Sequence, residues 1–148
     1  GAAFTIKMAH KVAGKNYVVC KLEGLWWGSK TKGDFSGEPP EQWNWKIIIR
    51  TPDFITQSHL KEAIAALQKR GKGPEVKDVQ LETVDEGLCV QMLHAGPYAE
   101  EGKTIGMMEE LAKSKGKKFH GLHHEIYLSD PRRVASERLR TILRMPVR

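Results

Sequence analysis

The chain has 148 residues, of which 40% are hydrophobic and 28% charged, and its formal net charge is +6. This length supports one domain with a substantial core, residues 1–148, and the composition is typical of a soluble globular protein. No apolar run approaches the roughly 20 residues that span a bilayer, and the N-terminus does not resemble a secretory signal. We therefore expect a cytoplasmic protein without membrane contact.

The basic residues are spread along the chain, and no aromatic-and-basic or helix-turn-helix pattern accompanies them. Most fall at expected helix ends and turns, where cations favour the helix dipole and solubility. Nucleic acid is therefore not an expected partner. Cys20 and Cys89 both lie in apolar stretches, which favours reduced, buried thiols over a disulfide or a metal pair.

Apolar periodicity and turn residues predict alternating helices and strands. In chain order we expect the end of a helix in residues 1–10, a strand in 16–27, a mobile glycine- and proline-rich loop in 28–41, a strand in 43–51 and a helix in 57–70. The second half is expected to contain a hairpin of strands 76–84 and 88–94, a helix in 104–115, a strand in 123–131, a short turn or helix, and a strand in 140–147. Thr56 and Gly71 are the expected N-cap and C-terminal stop of the first complete helix.

This order predicts an α+β fold, an antiparallel sheet with helices on one face. From residue 88 the order is strand, helix, strand, strand, and the N-terminal half repeats it without a first strand. We therefore expect two pseudo-symmetric strand-helix-strand-strand modules, the first of them incomplete at the N-terminus. The strand edge left open would favour either a homodimer or an upstream segment that covers it.

Two of the predicted strands combine a carboxylate with aromatic residues. Glu125 and Tyr127 fall on one face of the strand in residues 123–131, and Glu23 and Trp26 lie in the strand in residues 16–27. Two such strands indicate a concave small-molecule site. If Glu125 is buried, its pKa should rise unless it meets a cation or hydrogen-bond donors.

Each carboxylate also has a plain surface interpretation. Glu125 could pair with Arg132 or Lys118 on a solvated strand face, and Lys21 could pair with Glu23.

Three histidines near the C-terminal half raise the question of a metal. Adjacent strand residues His123 and His124 point to opposite faces, and no third ligand is evident. We therefore predict neither a metal site nor a cofactor. No serine lies in a nucleophile elbow and neither cysteine has a recognisable partner, which argues against covalent catalysis.

Five segments in order resemble the family of GyrI-like small-molecule-binding domains: LEGLW (22–26), IRTPDF (49–54), GLCVQM (87–92), GPY (96–98) and EIYLSDPRR (125–133). The resemblance implies two modules of the SHS2 arrangement around a ligand cavity, and binding of lipophilic, often cationic drugs. It also implies, for a stand-alone branch, hydrolysis of cyclopropane-bearing DNA-alkylating natural products of the yatakemycin type.

On this resemblance we expect the chain to bind bulky planar xenobiotics and to detoxify them by hydrolysis. Glu125 is then the base or water-orienting group and Tyr127 its catalytic partner or a donor. Tyr98 is a second candidate donor, and the other ligand-binding candidates are Glu23, Trp26 and Met92. The alternative is a non-catalytic effector-binding or inhibitory protein that acts through a partner, such as a transcription regulator or gyrase.

Overall fold

The computed structural model describes residues 1–29 and 37–148, which divide into two compact units. The helical unit comprises residues 1–20 and 49–84, and the sheet unit comprises the described residues of 21–48 and 85–148. The loop expected in residues 28–41 lies partly outside the described residues. Within the described ranges, no helix is long and apolar enough to cross a membrane.

The helical unit contains α1 (Ala2–Val12) and α2 (Gln57–Lys69). Thr56 caps α2 as expected, and its backbone N–H donates to Nδ1 of His59 at 3.0 Å. Gly71, with φ +71°, follows the helix and ends it in the left-handed conformation. The buried core of this unit consists of Ile6, Ile55, Leu60 and Ala63, with Tyr17, Ile64 and Leu81 packed against them.

The hairpin predicted from residues 76–84 and 88–94 is wrong in its first strand. Pro74–Asp78 forms a short 3-10 helix, and the residues after it are irregular. Leu81 packs into the core of the helical unit, and its carbonyl accepts a hydrogen bond from the Gln57 side chain at 3.0 Å. These contacts fix the segment to the helical unit, so its alternating pattern does not produce a strand.

The sheet unit contains five strands and one helix: β1 (Leu22–Trp27), β2 (Asn44–Ile49, whose last residue belongs to the helical unit), β3 (Cys89–Ala95), α3 (Glu101–Ser114), β4 (His123–Tyr127) and β5 (Arg140–Pro146). The strand order is β2-β1-β4-β5-β3, and β4 pairs antiparallel with both β1 and β5. The predicted α+β class is confirmed. β1 begins at Leu22, later than predicted, and α3 begins at Glu101, earlier than predicted.

The pairing of β1 with β4 decides which side chains share a face. Gly24 lies opposite Glu125, and Trp26 lies opposite His123. Because strand side chains alternate, Trp26, His123, Glu125 and Tyr127 all lie on one face, which we call the site face. α3 packs on this face, where Met108 and Ala112 contact a core of Val90, Leu143, Met145 and Val147.

Candidate functional site

A cavity of about 1790 Å³ opens on the site face, and all its lining residues belong to the sheet unit. Its walls are largely aromatic and apolar: Trp26, Trp43, Tyr98, Phe119, Tyr127, Leu22, Ile47, Ile105 and Met145. Trp26 and Trp43 meet edge to face with ring centroids 6.5 Å apart, and Tyr98 and Tyr127 do so at 6.3 Å. The cavity is large enough for a bulky planar molecule to stack between rings.

Glu125 lies in the wall of this cavity and is held by hydrogen bonds at both oxygens. Nε2 of His123 donates to Oε1 at 3.0 Å, and the Tyr127 hydroxyl donates to Oε2 at 2.8 Å. Trp26 in turn donates from Nε1 to the Tyr127 hydroxyl oxygen at 3.0 Å. Only 12% of the Glu125 side chain is exposed. A continuous chain of donors therefore runs from the indole of Trp26 to the carboxylate.

Gly24 makes the close approach of these side chains possible. A Cβ atom at Gly24 would lie 2.7 Å from Nε1 of Trp26 and 2.7 Å from the hydroxyl oxygen of Tyr127. Both distances are too short for any other residue to occupy the position without displacing the hydrogen-bonded pair. The glycine opposite Glu125 is therefore a packing requirement of the site.

Glu101, at the start of α3, is a site residue that the sequence reasoning missed. It is 8% exposed and lines the cavity, and one of its carboxyl oxygens lies within 4.8 Å of an oxygen of Glu125. Its Oε1 atom is buried without a hydrogen-bond partner among the described residues. The helical spacing of the sequence could have indicated its burial. Glu101 precedes Thr104 and Met108 by three and seven positions and so lies on the buried face of the helix.

The two glutamates have opposite pKa shifts. Burial raises the pKa of Glu101 to about 8, with smaller contributions from the charge of Glu125 and from a hydrogen bond with it. Burial also acts to raise the pKa of Glu125, but hydrogen bonds and charge from His123, together with hydrogen bonds from Tyr127 and Glu101, lower it overall. At neutral pH Glu101 is therefore neutral and Glu125 ionised. The rise expected for a buried Glu125 is overcome by its donors and is found at Glu101 instead.

Tyr127 keeps its proton throughout the neutral range. Burial, followed by the charge of Glu125, raises its pKa strongly. The Tyr127 hydroxyl already donates its hydrogen to Glu125. Tyr127 therefore positions the carboxylate and has no free hydrogen to donate to a ligand. Tyr98, which is 40% exposed at the cavity wall, is better placed for the donor role.

His94 fixes the segment that carries Tyr98 and Glu101. Nε2 lies 2.9 Å from the carbonyl oxygen of Pro97, which can only accept, so Nε2 carries the hydrogen. Nδ1 then accepts from the Thr104 hydroxyl at 2.8 Å. This buried histidine thus joins β3 to the start of α3 and is satisfied at both nitrogens.

At the rim, Asp130 is clamped by the residue two positions later. The Arg132 side chain donates to both Asp130 oxygens, at 3.0 and 2.9 Å, and the Arg132 backbone N–H also donates to it. These hydrogen bonds hold the pKa of the Asp130 carboxyl at about 2. The surface interpretation paired Arg132 with Glu125. In this arrangement Arg132 instead binds Asp130.

Two of the ligand-binding candidates lie away from the cavity. Glu23 is on the opposite face of β1, where its Oε2 lies 2.7 Å from Nε2 of His124. Met92 lies on the outermost strand β3 and does not belong to the cavity lining. Trp26, Tyr98, Glu125 and Tyr127 do line it, together with His123, Trp43 and Phe119, which were not proposed as ligand-binding residues.

Within the part of the chain that the structure describes, one group has the spacing of metal ligands. Glu101, His123 and Glu125 each offer one atom, and these atoms lie within 4.8 Å of one another. His123 and His124 do point to opposite faces, but the third member, Glu101, comes from α3, which no local sequence pattern links to this strand. A hydrogen bond already joins Glu125 to His123, and Glu101, whose pKa is raised by burial and by the charge of Glu125, lies beside the same carboxylate. We therefore interpret the group as a proton-sharing cluster, and the absence of a metal stays a prediction.

Comparisons with known proteins agree with this architecture. The model of the family "GyrI-like small molecule binding domain" matches residues 14–148. An uncharacterized conserved protein from Listeria innocua has a similar structure, with a TM-score of 0.89 and 38% identity over 99% of this chain and 75% of that chain. Two structures described as hydrolases from the same organism are also similar, each at 36% identity over 99% of this chain. Their TM-scores are 0.85 and 0.87, over 74% and 75% of their own chains. No curated protein sequence matches.

Proposed function

This chain belongs to the family of GyrI-like small-molecule-binding domains, and we propose that it binds a bulky planar xenobiotic and opens it by hydrolysis. The observation that supports this most strongly is a carboxylate, Glu125, that is set into the wall of an aromatic cavity and held by hydrogen bonds from His123 and Tyr127. Similar structures are described as hydrolases, which supports the reaction class without naming a substrate.

Aromatic walls favour a flat ligand. Trp26 and Trp43 present perpendicular rings, so a planar molecule stacked on one ring meets the edge of the other. Leu22, Ile47, Ile105 and Met145 add aliphatic surface to the lining, which favours burial of apolar ligand surface at roughly 25 cal/mol per Å².

For a substrate with a cyclopropane conjugated to a dienone, the carboxylate has a definite task. Glu125 takes a proton from a water molecule as the water oxygen bonds to a cyclopropane carbon. The ring C–C bond breaks, and its electron pair moves through the dienone to the carbonyl oxygen. That oxygen, stabilised by a donor such as Tyr98, then takes up one proton, so that the sum of the reaction is the addition of one water.

A non-catalytic effector-binding protein is the second candidate, favoured by one specific observation. The ionised Glu125 in an apolar cavity would attract a lipophilic cation without any reaction. The two candidates differ in whether a product forms. A mutation of Glu125 that weakens only the binding of cations would favour the effector role.

The proposal is tested by binding and by product analysis on the same ligands. Planar aromatic and cyclopropane-bearing compounds are titrated by calorimetry into the wild type, Trp26→Ala and Trp45→Ala, and the mixtures are then analysed by mass spectrometry. Trp45 is the matched control because it is 60% exposed and does not line the cavity.

We expect Trp26→Ala to weaken binding by roughly 1–3 kcal/mol through lost stacking and burial, and Trp45→Ala to have no effect. We also expect a product with the mass of one added water. Equal affinities of Trp26→Ala and wild type would show that the ligand binds elsewhere.

A further inference from the structure

The carboxyl groups of Glu101 and Glu125 come from different elements and meet in the cavity wall, where an oxygen of each lies within 4.8 Å of the other. Two ionised carboxylates are both acceptors only, so a hydrogen bond between them requires a proton on one. Glu125 already accepts from His123 and Tyr127. The proton therefore belongs on Glu101.

We propose that Glu101 is a positioning residue that stays protonated at neutral pH and donates the hydrogen bond that holds Glu125 ionised and aimed into the cavity. The hydrogen bond itself does not depend on the proposed function, whereas its effect on catalysis does. Glu101 thus acts through Glu125, and the ligand is not required to touch it.

The surroundings of Glu101 favour this proton. The titratable groups around it are Glu125, His123 and Tyr127 on β4 and Tyr98 in the turn before α3. His123 gives its Nε2 hydrogen to Glu125, and both tyrosines keep their protons because burial and nearby carboxylates raise their pKa. With Glu101 only 8% exposed, a second negative charge here would be poorly hydrated.

Infrared difference spectroscopy tests the proton without any ligand. The spectrum of the wild type minus Glu101→Gln should show the carbonyl band of a protonated carboxylic acid at pH 7. This band should fade with a midpoint near pH 8. Glu100→Gln, at the exposed neighbouring position, is the control and should keep the band.

A wild type without the band at pH 7, before and after treatment with EDTA, would overturn the proposal. A band that emerges only with EDTA would assign the cluster to a metal ion and would overturn it equally.

Stability gives a second readout that needs no ligand. Because the pKa of Glu101 is raised from 4.5 to about 8, its stabilising contribution is complete below pH 4.5 and is lost as the pH rises toward 8. The urea midpoint of Glu101→Gln relative to wild type should therefore increase with pH over this window. A constant difference between the two midpoints would contradict the inference.

If Glu101 holds Glu125 in this way, the rate of hydrolysis should depend on the protonation of Glu101 and should fall at alkaline pH. Deprotonation of Glu101 removes the donor and adds a negative charge beside Glu125, so the hydrolysis rate of the wild type should fall about tenfold between pH 7 and pH 9. Glu101→Gln should lose this fall, because the amide donates at every pH, and Glu100→Gln should keep it. The same fall in Glu101→Gln would contradict the role in catalysis. If no variant hydrolyses any substrate, the proposed function fails, and the infrared band still decides the proton.

Discussion

At the level of single residues, two glutamates on paired strands have opposite environments. Glu125 faces the cavity, whereas Glu23 faces the other side of the sheet and meets His124 at 2.7 Å. The second nitrogen of His124 lies 2.8 Å from Glu86, so with both carboxylates ionised the imidazole must donate from both nitrogens. Arg144 adds a further bond to Glu86 at 3.1 Å. Glu23 is thus part of a buried ionic cluster and is not exposed to the ligand.

This cluster should contribute to stability and not to binding. His124→Gln replaces the imidazole that joins Glu23 and Glu86 by a neutral amide. We expect the free energy of unfolding to fall by about 3 kcal/mol, because the two carboxylates are then left buried without the cation between them. Urea denaturation of His124→Gln, Glu23→Gln and the double variant measures the coupling, expected at about 1–3 kcal/mol. Lys113→Gln, in the exposed pair with Glu109, is the control and should cost under about 1 kcal/mol. A loss no larger than that of the control would show that the cluster is not a stabilising one.

At the level of elements, the site depends on the register between β1 and β4. The register places a glycine opposite Glu125, and the space above it is filled by the hydrogen-bonded pair of Trp26 and Tyr127. A slip by one residue would turn every side chain of β1 to the other face. Trp26 would then leave the cavity and Glu23 would enter it.

Gly24→Ala tests this arrangement directly. The added methyl group must displace Nε1 of Trp26 or the Tyr127 hydroxyl, so we expect a loss of about 1–3 kcal/mol in stability and at least about tenfold in affinity for a planar ligand. Gly106→Ala, on α3, is the matched control, because an added Cβ there meets nothing within 4 Å and should stabilise the helix by roughly 0.5–1 kcal/mol. Unchanged binding by Gly24→Ala, measured by calorimetry, would mean that the Trp26–Tyr127 pair is not needed for the site.

Local patterns were enough to predict the elements whose signals lie within a few residues. The strand of Glu125 and Tyr127 and the helix capped by Thr56 depend on alternation and on caps, which are local properties. The segment 76–84 also alternates, yet its packing partner is α2, a choice that only the tertiary structure reveals. A periodic pattern does not specify its own partner.

The sequence was sufficient to predict site residues that share one strand, but not site residues that different elements bring together. Glu125 and Tyr127 are two positions apart, so the pleat places them on one face. The role of Glu101 depends on the packing of α3 against the site face, and its position in the first turn of a helix is equally typical of a surface acid. Glu23 and Trp26 are three positions apart, so alternation places them on opposite faces of β1, and both could not line one cavity. Which of the two faces the cavity depends on the register of β1 against β4, which neither strand specifies alone.

At the level of the whole molecule, the sheet unit supplies the cavity, the carboxylate and the residues that hold it. The fold leaves one face of the sheet open beside α3 and lines it with aromatic rings, while hydrogen bonds position the carboxylate of Glu125 among them. Such a combination suits a flat, apolar ligand with one electrophilic or cationic centre. In the proposed reaction the charge of Glu125 activates water.

Single-turnover hydrolysis of a cyclopropane-bearing substrate, with protein in excess, tests that claim most directly. Glu125→Gln keeps the shape of the side chain but cannot take a proton, so we predict a loss of product formation on the order of 10²-fold or more, with little change in the binding of a neutral ligand. Glu110→Gln, at an exposed position of α3, is the control and should react as the wild type does. Equal rates for wild type and Glu125→Gln would contradict the enzymatic account and leave the binding function alone.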